Sequence, residues 1–186
     1  EGLSNCHDIE FVHHQPALRK EQLEAFTGLD LRRVALRYLP RNPAPAATSL
    51  FSWRLWRQSS RWSEALSRPY ETFVNLTHGA PPVCHARHGV LIVLFPFFKR
   101  KWMRDDPPRG IDPRRRLRNA CYDFEWCQRM RTYSHITCIS EFTRRWTKAY
   151  WDIEATVVYP PVNTTSPSLP KQDVVLSVGR LSSSGH

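Results

Sequence analysis

Glycine is scarce in this chain of 186 residues, seven against fifteen prolines, which excludes collagen-like and Gly/Ser-rich classes and predicts many defined breaks. Long apolar runs are missing too. The longest, Val90 to Phe98, is interrupted by Pro96 and falls short of the roughly 20 residues a membrane-spanning helix needs. No GxxxxGK[ST], HExxH or GxSxG string occurs, so P-loop NTPase, zincin and α/β-hydrolase chemistry have no support. The cysteines, Cys6, Cys84, Cys121, Cys127 and Cys138, are odd in number and form neither a CxxC pair nor a zinc-type spacing with histidine. They read as reduced structural thiols of a cytosolic protein; Cys121 and Cys127, on one expected helix, point to different faces. Glu1 to Asn5 has neither a basic n-region nor an apolar h-region, so no secretory signal is visible there. The sequons at Asn75 and Asn163 read as chance matches, the first because a glycan in its apolar, strand-like run would block packing.

What is present is charge and hydrophobic surface in globular proportion: 27 Lys and Arg against 17 Asp and Glu, a net charge of +10, with 41% hydrophobic and 12% aromatic residues. That length supports a core without staples, as one domain or a domain plus a piece of another. Asp8 to His13 reads as a strand, Arg19 to Phe26 as a helix with Leu18, Leu23 and Phe26 at helical intervals, and Arg32 to Leu39 as a second strand alternating Val34, Leu36 and Tyr38 with polar partners. Ser49 to Arg68 is an amphipathic helix with Phe51, Leu55, Trp62 and Leu66 on one face and Arg54, Arg57, Arg61 and Arg68 on another. Thr72 to Leu76 and Leu91 to Phe95 look like strands buried on both faces, as in a parallel sheet covered by helices. A helix over Arg114 to Tyr133 with the apolar series Leu117, Cys121, Phe124 and Met130 leads to a short strand, Ile136 to Ile139. Helix Glu141 to Trp151 then starts behind Ser140 as N-cap, and Thr156 to Tyr159 is a further strand closed by Pro160-Pro161. Asn163 to Lys171 is linker-like, and Asp173 to Val178 opens a strand ending at Gly179-Arg180. Strand and helix alternate throughout, the pattern of an α/β domain with a doubly wound, mostly parallel sheet.

In such a fold, ligands meet the carboxyl ends of the strands, which singles out three groups of residues. Gly179 and Arg180 follow a strand, where glycine permits close backbone approach and arginine pairs with phosphate oxygens; a turn glycine and a surface arginine is the alternative. Lys99 to Arg118 carries nine basic residues, Lys99, Arg100 and Lys101 among them, against Asp105, Asp106 and Asp112. With the Arg54, Arg57 and Arg61 face of the tryptophan-rich helix it suits an anionic lipid surface, or serves as a solvated basic face. His78 with Gly79, and Ser140 with Glu141, stand at strand ends as candidates for a substrate pocket, although helix capping is the preferred sole role for the latter pair. His13, His14, His85 and His88 lack metal-ligand companions at a diagnostic spacing and read as loop or surface residues; no metal site is expected.

The string ITCISEFTRRWTKAYWDIEATVVYPPVN, followed after a linker by DVVLSVGRLSSSGH, resembles the joint between the two domains of family 4 retaining glycosyltransferases of the GT-B fold. CHDIEFVHH is similar to that family's second strand, and YETFVNLTHGAPPVCHARHGVLIVLFPFF to the pair of strands lining its acceptor cleft, with the nearest likeness to the branch of dolichol-linked mannosyltransferases. The resemblance implies an acceptor-side, Rossmann-like domain over residues 1–162, an interdomain linker over 163–172 and the start of a nucleotide-sugar domain over 173–186. It also implies a first strand with a Gly-rich loop ahead of Glu1 and most of the donor domain, with its paired glutamates, after His186, so that the chain alone is incomplete and inactive. Gly179 and Arg180 would then contact the donor diphosphate, and Gly79, Phe95, Pro96, Ser140 and Glu141 the acceptor cleft. Many relatives carry a histidine where Leu94 stands before Phe95-Pro96; His78 on the adjacent strand end is the substitute candidate for catalysis.

The implied partners are a nucleotide diphosphate-sugar co-substrate, a lipid-linked or polysaccharide acceptor and an anionic membrane surface at the cytoplasmic face, with no cofactor, no metal and no nucleic acid. Two other classes compete. Net charge and the Trp/Arg interleaving of Ser49 to Arg68 meet the electrostatic part of a nucleic-acid-binding module, without a recognised motif. A non-catalytic peripheral membrane adaptor would share the same basic helix.

Overall fold

The structure is a computed structural model that describes residues 6–42, 53–76, 80–96, 113–161 and 173, with side chains omitted at 53–56, 113–119, 122 and 123. In chain order the described elements are β1 (Ile9–His13), α1 (Lys20–Thr27), β2 (Val34–Tyr38), α2 (Trp53–Ser67), β3 (Thr72–Asn75), β4 (His88–Val93), α3 (Pro113–Met130), β5 (His135–Cys138), α4 (Glu141–Trp151) and β6 (Thr156–Val157). Apolar and β-branched runs make the strands, and left-handed residues end two helices: Gly28 at φ 69° closes α1 and Asp152 at φ 56° closes α4. All strand pairs are parallel. They form two sheets, β1-β2 and β3-β4-β5-β6, so the fold is mixed α/β.

The four-stranded sheet holds the core. Leu91 and Val93 on β4 and Cys138 on β5 pack with Trp126 and Met130 of α3, Trp151 of α4, and Cys84, Tyr133 and Ala155. The Trp126 and Trp151 rings meet edge to face at 5.0 Å, so α3 and α4 close over the same part of the sheet. Cys84 and Cys138 are buried, which pushes both thiols up, and all five cysteines are free.

The connection from β3 to β4 includes a buried ribbon, Pro81 to Cys84, whose backbone polar groups must find partners away from water. Tyr133 Oη donates to the Pro82 carbonyl at 2.8 Å, and Arg129 Nη1 to that of Pro81 at 3.0 Å. The Cys84 amide reaches Thr132 Oγ1 at 3.0 Å, and that of His85 reaches Ser67 Oγ at 2.9 Å. Gly89 lets the ribbon lie close: a Cβ there would fall 2.8 Å from Cys84 Sγ and 3.0 Å from the Thr132 carbonyl.

The two-stranded sheet is tied to the rest through α2 and Tyr70. Trp62 Nε1 donates to the Pro40 carbonyl at 2.7 Å, and Arg37 Nη2 to that of Ala65 at 3.0 Å. Tyr70 Oη hydrogen-bonds to Glu10, which also pairs with Arg37 at 3.2 Å, while the Arg37 guanidinium lies 5.4 Å from the centre of the Tyr70 ring. No residue of β1 or β2 is buried.

Several expectations need correction. Val74 and Leu76 are about half exposed, so Thr72 to Leu76 is not buried on both faces; β3 is an edge strand, with β4 on one side only among the described residues. Phe26 of α1 is 89% exposed and Phe124 of α3 is 65% exposed; α3 buries Trp126, Arg129 and Met130 instead. Tyr38 is exposed while its neighbour Arg37 is drawn partly inward by Glu10. Asn75 is buried and donates to Tyr133 Oη at 3.2 Å, which leaves no room for a glycan. Linker 163–172 and strand Asp173 to Val178 lie outside the described residues, apart from Asp173 itself.

Burial pushes the Tyr133 phenol well above its ordinary value of 10.0, against the pull of the Asn75 amide. A phenolate also loses the proton it donates to Pro82. The folded value lies above the unfolded one, so this contribution to stability is complete below pH 10.0 and is lost as pH rises through the folded value. Denaturant titrations at rising pH should show that alkaline slope diminished in Tyr133→Phe, which costs about 1–3 kcal/mol at neutral pH for the unpaired groups it leaves.

Candidate functional site

Parallel pairing gathers the carboxyl ends of β3 to β6, at Asn75, Val93, Cys138 and Val157, on one edge of the sheet. Beyond them the chain continues as Leu94-Phe95-Pro96, Ile139-Ser140-Glu141 and Val158-Tyr159. Two of these ends are locked together. Ser140 caps α4 by accepting from the Thr143 amide at 3.1 Å, and Thr143 Oγ1 donates to the Leu94 carbonyl at 3.3 Å, so the start of α4 is fastened to the end of β4. The Val158 amide donates to the Cys138 carbonyl at 2.8 Å and draws the end of β6 onto the same edge. Thr147, fully buried, donates to the Thr143 carbonyl at 2.9 Å and lies 3.4 Å from Cys138 Sγ, seating α4 against β5.

Phe95 and Phe142 lie stacked above this turn with centroids 6.3 Å apart. Phe142 is followed at four-residue spacing on α4 by Trp146 and Tyr150, in ring contact at 6.2 and 4.9 Å. The other flank of α4 is ionic: Arg144 pairs with Glu141 at 2.8 Å and with Glu154 at 3.9 Å, and Lys148 with Asp152 at 3.0 Å and Glu154 at 3.1 Å. These carboxylates hold the Arg144 and Lys148 protons more firmly than usual, on a solvent-facing flank where such pairs contribute little.

Of the residues singled out in the sequence, the structure brings Phe95, Pro96, Ser140 and Glu141 to one edge. Pro96 is fully buried and frames the turn, Phe95 is 41% exposed, Ser140 is engaged as a cap, and Glu141 is exposed and paired with Arg144. Leu94 is half-buried and contributes its carbonyl. Arg57 and Arg61 are exposed on α2, a different element; Arg54 lies on α2 with its side chain outside the description. His78, Gly79, Lys99, Arg100, Lys101, Gly179 and Arg180 lie outside the described residues.

Two features escaped the sequence reading. His13 is a half-buried strand residue that ends β1 with its ring between Phe11 and Tyr38, and His14, a loop residue in the bend that follows, is half-buried with Nδ1 bonding the Leu39 carbonyl at 2.7 Å against the Trp62 ring. Their place at the carboxyl end of an alternating strand was the available signal. The second is the aromatic row on α4, written in the spacing of FTRRWTKAY.

Among the described residues no group of three or more His, Cys, Asp or Glu is placed to hold a metal ion, and no helix is long and apolar enough to cross a membrane. Comparisons with protein-family models, curated proteins and solved structures find no match.

Replacement of Ser140 separates its two roles. Ser140→Ala should cost about 1 kcal/mol of stability through the lost cap, and Ser140→Asp should restore it. Thermal unfolding of the two variants checks this, and loss of ligand binding in both despite restored stability in the aspartate variant would assign the hydroxyl a substrate contact.

Proposed function

We propose that this chain is the acceptor-side part of a retaining glycosyltransferase of the GT-B fold, moving a sugar from a nucleotide diphosphate-sugar to a lipid-linked or polysaccharide acceptor at the cytoplasmic membrane face. The observation that carries the reading is the CISEFT turn. Its serine caps α4 at the carboxyl end of a central parallel strand and ties that turn to the neighbouring Leu94-Phe95-Pro96 end, where an acceptor in a doubly wound fold is met.

In this reading Phe95, Pro96 and the Ser140-Glu141 turn line the acceptor side together with Gly79, and His78 is the candidate catalytic residue, since Leu94 stands where many relatives carry histidine. Gly179 and Arg180 hold the donor diphosphate. An arginine there acts where departure of the nucleoside diphosphate builds negative charge, so it contributes more in the transition state than in the ground state. No metal or cofactor enters the scheme, and the two domains must close on both substrates before transfer.

The test is sugar transfer by the full natural polypeptide, with a panel of nucleotide diphosphate-sugars and a polyprenyl-diphosphate-linked glycan. Turnover should fall by about 10²–10³-fold in Arg180→Ala, and residues 1–186 alone should be inactive. Absence of transfer from every donor, an unaffected Arg180→Ala variant, or full activity in the 186-residue chain contradicts the reading.

A further inference from the structure

Tyr150, at the end of the aromatic row on α4, packs against the core and Phe95 borders the acceptor side, but Phe142 and Trp146 serve neither. Phe142 is 62% exposed, Trp146 37% and Phe95 41%, although a helix ordinarily hides such rings. The buried face of α4, Thr143, Thr147 and Trp151, points elsewhere, and the ionic flank of Arg144 and Lys148 lies on another side. The helix thus carries an apolar stripe in addition to the one its fold requires.

The geometry of the rings narrows the kind of partner. Phe95 lies stacked on Phe142, Phe142 meets Trp146 edge to face, and Trp146 tilts onto Tyr150 at 4.9 Å. The rings touch one another in series, so the row forms a continuous hydrocarbon ridge along the helix. A cation borders it. Arg145, exposed between Phe142 and Trp146 in sequence, has no carboxylate partner among the described residues, in a chain of net charge +10. Exposed aromatics bordered by an exposed arginine, in a chain of high positive charge, suit the boundary between headgroups and acyl chains of an anionic bilayer.

We infer that the Phe95-Phe142-Trp146 ridge is the element that seats this protein on an anionic membrane surface, with Arg145 against lipid phosphate. The inference rests on the reading above only in that a lipid-borne acceptor places the sheet edge at a membrane; it does not depend on the transfer chemistry. It also differs from assignment of the contact to the arginines of α2.

Cosedimentation of the natural polypeptide with phosphatidylcholine vesicles, with and without phosphatidylglycerol, tests it. Binding should require the anionic lipid. The Phe142→Ser/Trp146→Ser variant should partition at least about tenfold more weakly, as expected for withdrawing two part-buried rings from lipid. Phe142→Leu/Trp146→Leu, which keeps the ridge apolar, should stay within a few-fold of the parent, and circular dichroism melts confirm that both variants fold. Failure of the parent to bind anionic vesicles overturns the inference, as does unchanged binding of the serine variant together with loss in Arg57→Glu/Arg61→Glu. A shift in oligomeric state on serine substitution without any vesicle binding overturns it in favour of a protein contact. Transfer to a water-soluble, truncated acceptor, measured on the same proteins, reports separately on the glycosyltransferase reading.

Discussion

Because β4 hydrogen-bonds in parallel to both β3 and β5, each connection in the larger sheet must travel from the carboxyl edge back to the amino edge. Those return paths cover the sheet, with α3 between β4 and β5 and α4 between β5 and β6. The same constraint leaves all the strand ends facing one way. The core and the candidate site are therefore two results of one arrangement: the helices that bury Trp126 and Trp151 are also those whose positions aim Phe95, Ser140 and Glu141 at a shared edge.

The β3-to-β4 connection meets that constraint differently. It includes the buried ribbon Pro81 to Cys84, and the cost of burying that backbone is offset by side chains of four residues, Ser67, Arg129, Thr132 and Tyr133, each bonded to a particular carbonyl or amide. Arg129 is further neutralised by Glu125, a turn earlier on the same helix. Such a network specifies one path for the ribbon, since any shift leaves several polar groups without partners at once. Gly89 then permits the close approach that the path needs.

Local chemistry was read well where it acts over a few residues. The Ser140 cap and the following apolar period gave α4 its observed bounds, Glu141–Trp151, and the alternation in DIEFVH gave β1 to within one residue. What failed depends on tertiary position. An apolar run such as Thr72 to Leu76 has the same local pattern at a sheet's edge as at its centre, and only the neighbours decide how much of Val74 is covered. Phe124 and Trp126, two residues apart on α3, differ by 200° of helix rotation at ~100° per residue, so a slightly misjudged face exchanges a buried ring for an exposed one. Within the site, the strand-to-helix turn was legible because it is local; the Phe95–Phe142 contact joins two distant segments and was not.

The central claim is that the carboxyl edge of the β3–β6 sheet receives the acceptor. Amide hydrogen exchange of the natural polypeptide, with and without a polyprenyl-linked glycan, tests this most directly. The account predicts slower exchange around Leu94-Phe95 and Ile139 to Phe142, with the amino edge at Glu71, Arg87 and Ser134 unchanged. Protection confined to the amino edge, or none at saturating glycan, would contradict it.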